Sequence, residues 1–151
     1  MTDETRDRAS ASWRGVDVTR TGEGRFQATN QRGGVLPFSS GDDDDFSPVE
    51  LLLVALAGCA ALNIEAITGK RATPTSFAAT GEGHKIRDDN GSHLVDLRIT
   101  LDIAFPDGPD GDRAREILPR AIQQTHDRIC SVSRTVALGE PVEYAVSEPP
   151  H

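Results

Sequence analysis

Hydrophobic and polar positions alternate most regularly between residues 93 and 105. In HLVDLRITLDIAF the apolar side chains alternate with aspartate, arginine and threonine. This pattern is typical of a strand with one face on the core and the other in water. Residues 75–86 predict a strand before it, and Asp88-Asp89-Asn90-Gly91 predicts the turn between them. We therefore expect an antiparallel hairpin.

An earlier hairpin is predicted near the beginning of the chain. Residues 13–20 and 25–30 predict two strands, and Thr21-Gly22-Glu23-Gly24 predicts the turn that joins them. The stretch from 33 to 46, GGVLPFSSGDDDDF, predicts a loop with a short extended segment at its start. The polar ends of the chain set the expected domain limits. We predict a disordered tail at 1–11, one domain at 12–147 and a short tail at 148–151.

The longest apolar run predicts a helix from Pro48 to about Lys70. Ser47 is suited to the N-cap and Glu50 to the third helical position, which together make a capping box. Between Leu51 and Leu62 the helix is apolar on all sides, so we expect it to be buried on all sides. A domain of this size can surround such a helix only with a wrapped sheet or with a second subunit.

The remaining segments complete an α+β domain with a mainly antiparallel sheet. Apolar residues recur at helical spacing from 114 to 129, where Pro119 predicts a kink. Residues 130–138 predict a short helix that ends at Gly139, and residues 142–146 predict a last strand.

The net charge and the composition of the chain argue against two classes of binding partner and against membrane insertion. The formal net charge of -8 argues against nucleic acid and against anionic membranes, because both require a basic surface. The first ten residues are polar and show no signal peptide, so we expect a cytoplasmic protein. The apolar run 49–62 is shorter than the roughly 20 residues of a membrane span, and we expect no membrane insertion.

The two cysteines, Cys59 and Cys130, are the best chemical candidates. They form no C-x-x-C pair, the histidines lack metal-ligand spacing, and no glycine-rich phosphate loop is present, so we expect neither a metal nor a cofactor. Two interpretations remain open for the cysteines. They are either two small buried hydrophobic residues or a redox pair that the fold brings together.

The two thiols have different local surroundings. Cys130 stands where a helix should begin, and backbone N–H groups there favour its thiolate; His126, four residues earlier, could add positive charge. Cys59 lies in the middle of an apolar helix, where burial should raise its pKa, so its reactivity would require a cation. Glu50 cannot reach Cys59 along the same helix. A shared site would need a second, antiparallel copy of the helix.

Two segments together resemble the OsmC/Ohr family. SPVELLLVALAGCAALNIEAI is similar to the central-helix motif of the family, and CSVSRTVAL is similar to its second cysteine motif. The resemblance covers about residues 13–147. It implies an intertwined homodimer of α+β subunits, in which antiparallel sheets wrap around two long buried central helices and the thiol sites lie at the subunit interface.

The resemblance also implies an activity. The peroxidases of the family reduce organic and lipid hydroperoxides in oxidative-stress defence without a metal or an organic cofactor. By resemblance, Cys59 is the peroxidatic thiol that becomes a sulfenic acid, and Cys130 resolves it as a disulfide. A dithiol reductant, such as a lipoyl-type donor, then reduces the disulfide. Glu50 is the carboxylate that orients an activating arginine.

The position of that arginine differs from the OsmC-type pattern. OsmC-type members carry it about a dozen residues before the motif glutamate, where this chain has Pro37-Phe38-Ser39-Ser40. Ohr-type members supply it from the N-terminal hairpin. The resemblance therefore points to Arg25, with Arg20 or Arg32 as alternatives.

A second function belongs to a different class. The chain could be a non-catalytic module that binds a small apolar or thiol-reactive ligand in the interface pocket, near Leu52, Leu53 and Leu56. Such a module predicts unperturbed thiols. The peroxidase instead predicts a cation near Cys59 and two thiols that a disulfide can join.

Overall fold

The computed structural model describes residues 10–147. The predicted tails at 1–11 and 148–151 lie outside these residues, apart from positions 10 and 11. The chain divides into two compact units, Met1–Leu52 and Leu53–His151. A long helix runs across the boundary between them, and each unit has its own antiparallel sheet.

The first unit contains a three-stranded antiparallel sheet. Its strands are β1 (Asp17–Gly22), β2 (Arg25–Thr29) and β3 (Val35–Ser39), in the order β1-β2-β3. The predicted hairpin is confirmed, although β1 begins later than expected. The segment that the sequence marked only as extended is a full strand, because it pairs with β2 along its length and stacks Phe38 on Phe26 with ring centroids 6.1 Å apart.

Helix α1 (Pro48–Thr68) begins where the capping box predicts. The backbone N–H of Glu50 donates to Ser47 Oγ at 3.3 Å, and Ser47 N–H donates to the Glu50 carboxylate at 3.0 Å. These two bonds satisfy donors that the first helical turn would otherwise leave unpaired. The start of the site-bearing helix is thus fixed by local sequence alone.

One face of α1 is buried, and the opposite face is not. The buried stripe repeats every three to four residues and consists of Leu56, Ala57, Ala60, Ile64 and Thr68. On the other side Val54 is 51% exposed and Leu62 is 69% exposed. The described residues of this chain cover only one stripe of the helix, so the expected burial on all sides stays a prediction. A second subunit over the exposed face stays a prediction.

The second unit combines a long hairpin with helices. Its elements are β4 (Ser76–Asp88), β5 (Gly91–Ala104), α2 (Pro109–Gln124), the π-helical turn π1 (Thr125–Ile129) and α3 (Ser131–Leu138). The predicted hairpin and the predicted short helix are confirmed. Gly139 ends α3 in the left-handed conformation with φ 63°, as its position after the last apolar residue suggested. With the three-stranded sheet of the first unit and the hairpin of the second, the described residues have the mixed α+β architecture with antiparallel sheets that the sequence pattern predicted.

The predicted last strand is not formed. Residues 142–146 do not belong to a strand in the described part of the chain, and the side chains of Val142, Tyr144 and Val146 are 77%, 94% and 96% exposed. The alternation of this segment reflects strand propensity, but a strand also needs a neighbouring edge with which to pair.

Helix α1 is the one helix in residues 10–147 that is long and apolar enough to cross a membrane by length and composition. The core helix of a soluble protein meets the same criterion. The buried stripe of α1 is such a core feature, and the expected absence of membrane insertion stays a prediction.

A candidate redox site at Cys59 and Cys130

The structure brings Cys59 and Cys130 together. Cys59 lies in the middle of α1 and Cys130 is the N-cap residue of α3. Both are free thiols, and their side chains lie close enough that each thiol shifts the pKa of the other. Two residues that are distant in the sequence therefore form one chemical unit inside the second part of the chain.

Cys130 is held rigidly at the N-terminus of α3. Its side chain is completely buried, and its Sγ accepts a hydrogen bond from Ser133 N–H at 3.4 Å. Its backbone N–H donates to the Thr125 carbonyl at 2.9 Å, and its carbonyl accepts from Arg134 N–H at 2.9 Å. The turn π1 and helix α3 thus fix the cysteine from both sides.

These contacts lower the pKa of Cys130. Burial alone raises the pKa of this thiol, but hydrogen bonds from the Cys59 thiol, from Ser133 and from the Val132 amide outweigh it. Donors that point at a thiolate stabilise the charged form. Cys130 is therefore the more acidic member of the pair, as its predicted position at a helix start suggested.

The pKa of Cys59 moves in the opposite direction. Burial raises it most, the Cys130 thiol raises it further, and the amides of Val132 and Ser131 only partly offset these effects. Asn63 Nδ2 adds a weak donor at 3.5 Å from Sγ while it also bonds the Cys59 carbonyl at 2.9 Å. In the coupled pair, Cys130 loses its proton first and Cys59 donates its S–H to the resulting thiolate.

Glu50 is occupied as the capping-box partner of α1. Its carboxylate accepts hydrogen bonds from the backbone N–H and from the hydroxyl of Ser47, at 3.0 and 2.9 Å. The backbone bond, followed by the hydroxyl bond, lowers the pKa of Glu50. The carboxylate is therefore charged and oriented by the helix start of the first unit.

Arg25 is paired with the aspartate run of the first unit. Its guanidinium lies 2.5 Å from Asp43 and 3.4 Å from Asp45. A hydrogen bond from the Ser39 hydroxyl, together with bonds inside the loop and the charge of Arg25, lowers the pKa of Asp43. The aspartates thus organise the loop before α1. Neither Arg20 nor Arg32 forms an ion pair with the described residues.

A cavity of about 290 Å³ lies within the second unit. Its walls are mainly apolar and come from α1, β4, β5, α2, π1 and α3. Leu53 and Leu56 line this cavity, whereas Leu52 is exposed. The pocket expected near these leucines at a subunit interface is a different site and stays a prediction. Neither cysteine lines the cavity. Two of their neighbours do: Ala60, which follows Cys59 in the sequence, and Ser133, whose N–H donates to Cys130 Sγ.

One lining residue, Thr125, was not predicted from any sequence pattern. Its side chain is 2% exposed, and its Oγ1 has no hydrogen-bond partner among the described residues. A buried hydroxyl without a partner costs about 1–3 kcal/mol, so such an atom requires an explanation. Among residues 10–147 there is no group of three or more histidine, cysteine, aspartate or glutamate side chains arranged to hold a metal.

Solved structures share this fold. An OsmC-like protein from Mycoplasma pneumoniae is 13% identical, with a TM-score of 0.67 over 85% of this chain and 89% of that chain. The organic hydroperoxide resistance protein OhrB of Bacillus subtilis is 18% identical, with a TM-score of 0.51 over 81% of this chain and 90% of that chain. At these identities the likeness shows the fold.

Sequence comparison gives the family. An uncharacterised protein of Mycobacterium tuberculosis (strain ATCC 25618 / H37Rv) is 28% identical over 131 residues, which are 85% of this chain and 93% of the relative. The family model described as OsmC-like protein matches residues 41–145, which include α1 and both cysteines. The resemblance carried by the two cysteine motifs is thereby confirmed, and the chain belongs to the OsmC-like protein family.

Proposed function

We propose that this protein is a thiol-dependent peroxidase that reduces organic hydroperoxides in the cytoplasm as part of oxidative-stress defence. The observation that carries the proposal is the pair of free thiols, Cys59 and Cys130, which lie close enough to shift each other's pKa. A solved structure with the same fold is named an organic hydroperoxide resistance protein, which adds support from outside the chain.

The two thiols are suited to different steps. Cys59 is partly exposed, so a peroxide can reach its sulfur, whereas Cys130 is completely buried. The acidity of Cys130 still assists the attack, because its thiolate accepts the S–H bond of Cys59 and can take that proton. Cys59 is therefore proposed as the attacking thiol, with Cys130 as its base and then as the resolving thiol.

The chemistry balances in three steps. The Cys59 sulfur attacks the terminal peroxide oxygen as its proton passes to Cys130. The O–O bond breaks, the alkoxide leaves and takes a proton from water, and Cys59 becomes a sulfenic acid. Cys130 then attacks the Cys59 sulfur, water leaves, and a disulfide forms. A dithiol donor, such as a lipoyl-type reductant, restores both thiols by exchange.

The proposal requires a cation near Cys59, because burial and the neighbouring thiol both raise its pKa. Arg25 is the first candidate, with Arg20 and Arg32 as alternatives and Glu50 as the orienting carboxylate. The Asp43 and Asp45 carboxylates already offset the charge of Arg25. Peroxide-consumption rates of Arg20→Gln, Arg25→Gln and Arg32→Gln should therefore identify the activating residue. Unchanged rates in all three variants would remove these arginines from the mechanism.

A homodimer is part of the proposal. The exposed face of α1 presents Val54 and Leu62 with Gly58 between them, and a Cβ added at Gly58 would meet nothing within 4 Å. An apolar helix face with a glycine at its centre suits close contact with a second copy of the helix. We expect sedimentation equilibrium to give a dimer for the wild type and a monomer for Leu62→Glu. Lys70→Glu, at an exposed position beyond the helix, is the control.

Peroxide consumption tests the enzymatic proposal directly. Wild type, Cys59→Ser and Cys130→Ser are compared with cumene hydroperoxide and hydrogen peroxide, with dithiothreitol and dihydrolipoamide as donors. We expect wild type to prefer cumene hydroperoxide, Cys59→Ser to be inactive, and Cys130→Ser to stall after one turnover. Absence of organic-peroxide consumption by wild type with every donor would overturn the proposal and favour a non-catalytic ligand-binding module.

A further inference from the structure

We propose that the cavity within the second unit is a binding site for a medium-chain carboxylate, separate from the thiol pair. The site would have an apolar body for the chain of the ligand and a polar end for its head group. It is formed by one chain and requires no peroxide chemistry. It therefore goes beyond the function proposed above.

The body of the cavity suits an alkyl chain of limited length. Leu53, Leu56 and Ile64 of α1 face Leu97 and Leu101 of β5 across it. The volume of about 290 Å³ corresponds to roughly ten water-sized units of about 30 Å³ each. A ligand of about ten non-hydrogen atoms fits this space, and octanoate has that size.

The turn π1 supplies a polar atom without a partner. Thr125 begins this turn and lines the cavity, and its buried Oγ1 has no hydrogen-bond partner among the described residues. Buried hydroxyls are almost always paired, and a helical threonine has two accessible χ1 rotamers. Rotation of the Thr125 side chain would turn its hydroxyl towards the cavity, where a ligand oxygen would supply the missing partner. Short π-helical turns also occur frequently at functional sites.

The charges that line the cavity favour a single negative charge on the ligand. Arg98 is the cross-strand neighbour of Glu82 in the β4–β5 ladder, so the formal charges of these two lining residues sum to zero. His126 is bonded to Asp127 at 2.7 Å. Arg134 of α3 also lines the cavity and forms no ion pair with the described residues. One positive charge is therefore left for the ligand, and a carboxylate matches the planar guanidinium.

Helix geometry separates this site from the thiols. With 3.6 residues per turn, the lining residues Leu53, Leu56 and Ala60 fall on one stripe of α1. Cys59 is turned about 100° from its neighbour Ala60, and the exposed Leu62 lies on the opposite side. The cavity thus lies on the face of α1 that the chain itself covers, away from the face proposed for the second subunit.

Calorimetric titration of the wild-type protein with octanoate tests this site. We expect saturable binding of one octanoate per chain, and binding at least about tenfold weaker for octanol and octylamine, which lack the negative charge. The same titration with Cys59→Ser should give unchanged affinity. The two proposals can therefore fail separately. Absence of peroxide consumption would not affect the proposed octanoate site, and absence of octanoate binding would not affect the proposed peroxidase activity.

Two variants locate the bound carboxylate. Arg134→Gln should weaken octanoate binding by about tenfold or more, and Thr125→Val by a few-fold, because each removes a head-group donor. Arg128→Gln is the matched control, since Arg128 lies in π1 but does not line the cavity. Thermal melts confirm that each variant is folded.

No saturable octanoate binding by the wild type would overturn the proposal. An equal loss of affinity in Arg128→Gln and Arg134→Gln would also overturn it, because the effect would then be one of net charge. As a variant-independent check, nuclear Overhauser contacts between the ligand chain and the Thr125 methyl group should be present in the wild-type complex. Their absence at saturation would place the ligand elsewhere.

Discussion

Cys59 and Cys130 share the N-terminus of α3, yet their pKa values move in opposite directions. Amides of α3 lower the pKa of both thiols. In Cys130 these amides and the Cys59 thiol outweigh burial, whereas in Cys59 burial and the second thiol outweigh the amides. A helix N-terminus therefore does not determine acidity alone. The interaction between the two thiols also contributes, because it raises the pKa of Cys59 and lowers that of Cys130.

Acidity and access are thus divided between the two residues. The partly exposed thiol retains its proton, and the fully buried thiol releases its proton first. This division suits a pair in which one sulfur meets the substrate and the other handles the proton. Labelling rates report the access of a reagent to each sulfur, and thiolate titrations report the acidity of each thiol.

The rate at which a thiol reagent labels each cysteine of the native protein should depend mainly on how exposed its sulfur is. In Cys130→Ser the remaining Cys59 is partly exposed, and in Cys59→Ser the remaining Cys130 is completely buried. We expect iodoacetamide to modify Cys59 at least about tenfold faster than Cys130 near neutral pH, because the reagent must contact the sulfur. Mass spectrometry of quenched samples measures both rates. Faster modification of Cys130 would show that acidity, not access, governs the pair.

The thiolate titrations should shift in opposite directions. In Cys59→Ala the pKa of Cys130 should rise, because its thiolate loses a donor. In Cys130→Ala the pKa of Cys59 should fall, because the neighbour that raises it is removed. Ultraviolet thiolate absorbance against pH measures each single-cysteine variant beside the wild-type pair. Shifts of the same sign in both variants would contradict the proposed hydrogen bond.

The same shifts predict how folding stability depends on pH. Cys130, with its lowered pKa, contributes stability above the pKa of an unfolded cysteine, and this contribution is lost as the pH falls through its folded value. Cys59, with its raised pKa, contributes stability below the unfolded value and loses it as the pH rises through its folded value. Urea unfolding across the alkaline pH range measures the unfolding free energy of the wild type and of Cys59→Ala. If both free energies changed with pH in the same way, the titration of Cys59 would not contribute to stability.

The N-cap role of Cys130 predicts a smaller effect on stability. Its Sγ accepts a hydrogen bond from Ser133 N–H, so Cys130→Ala should lose about 0.5–2 kcal/mol of unfolding free energy relative to Cys130→Ser, which keeps a side-chain acceptor. Urea unfolding at neutral pH provides the measurement. Equal stability of the two variants would mean that the sulfur does not cap α3.

Asn63 should have the smallest effect of the series. Its amide donates to the Cys59 carbonyl and weakly to Sγ at 3.5 Å. Asn63→Ala should slow the alkylation of Cys59 by only a few-fold, since one weak donor to the thiolate is lost. The alkylation rate of Cys130 should be the same with and without the Asn63→Ala substitution. A large effect on Cys130 would indicate a structural disturbance of the whole pair.

Local sequence signals predicted the elements whose causes are local. Ser47 and Glu50 predicted the start of α1, and the alternation between 93 and 105 predicted β5. The two cysteine motifs predicted the family. Features that depend on distant neighbours were not predictable in this way. The segment 142–146 has strand propensity but forms no strand in residues 10–147, and α1 is apolar all round although this chain covers only one stripe.

The site was predictable in part for the same reason. The position of Cys130 at a helix start is a local property, and its acidity followed from it. The contact between Cys59 and Cys130 depends on how α1 and α3 pack, which spacing alone left open. Thr125 gave no signal at all, because its burial and its unpaired hydroxyl result from a π-helical turn that periodicity does not reveal.

If Cys59 and Cys130 form a redox pair in which Cys59 attacks the peroxide, one equivalent of cumene hydroperoxide should oxidise both residues. Mass spectrometry should then detect a Cys59–Cys130 disulfide in the wild type and a trapped sulfenic acid on Cys59 in Cys130→Ser. Two intact thiols in the wild type, or a sulfenic acid on Cys130 formed equally fast in Cys59→Ser, would contradict this assignment.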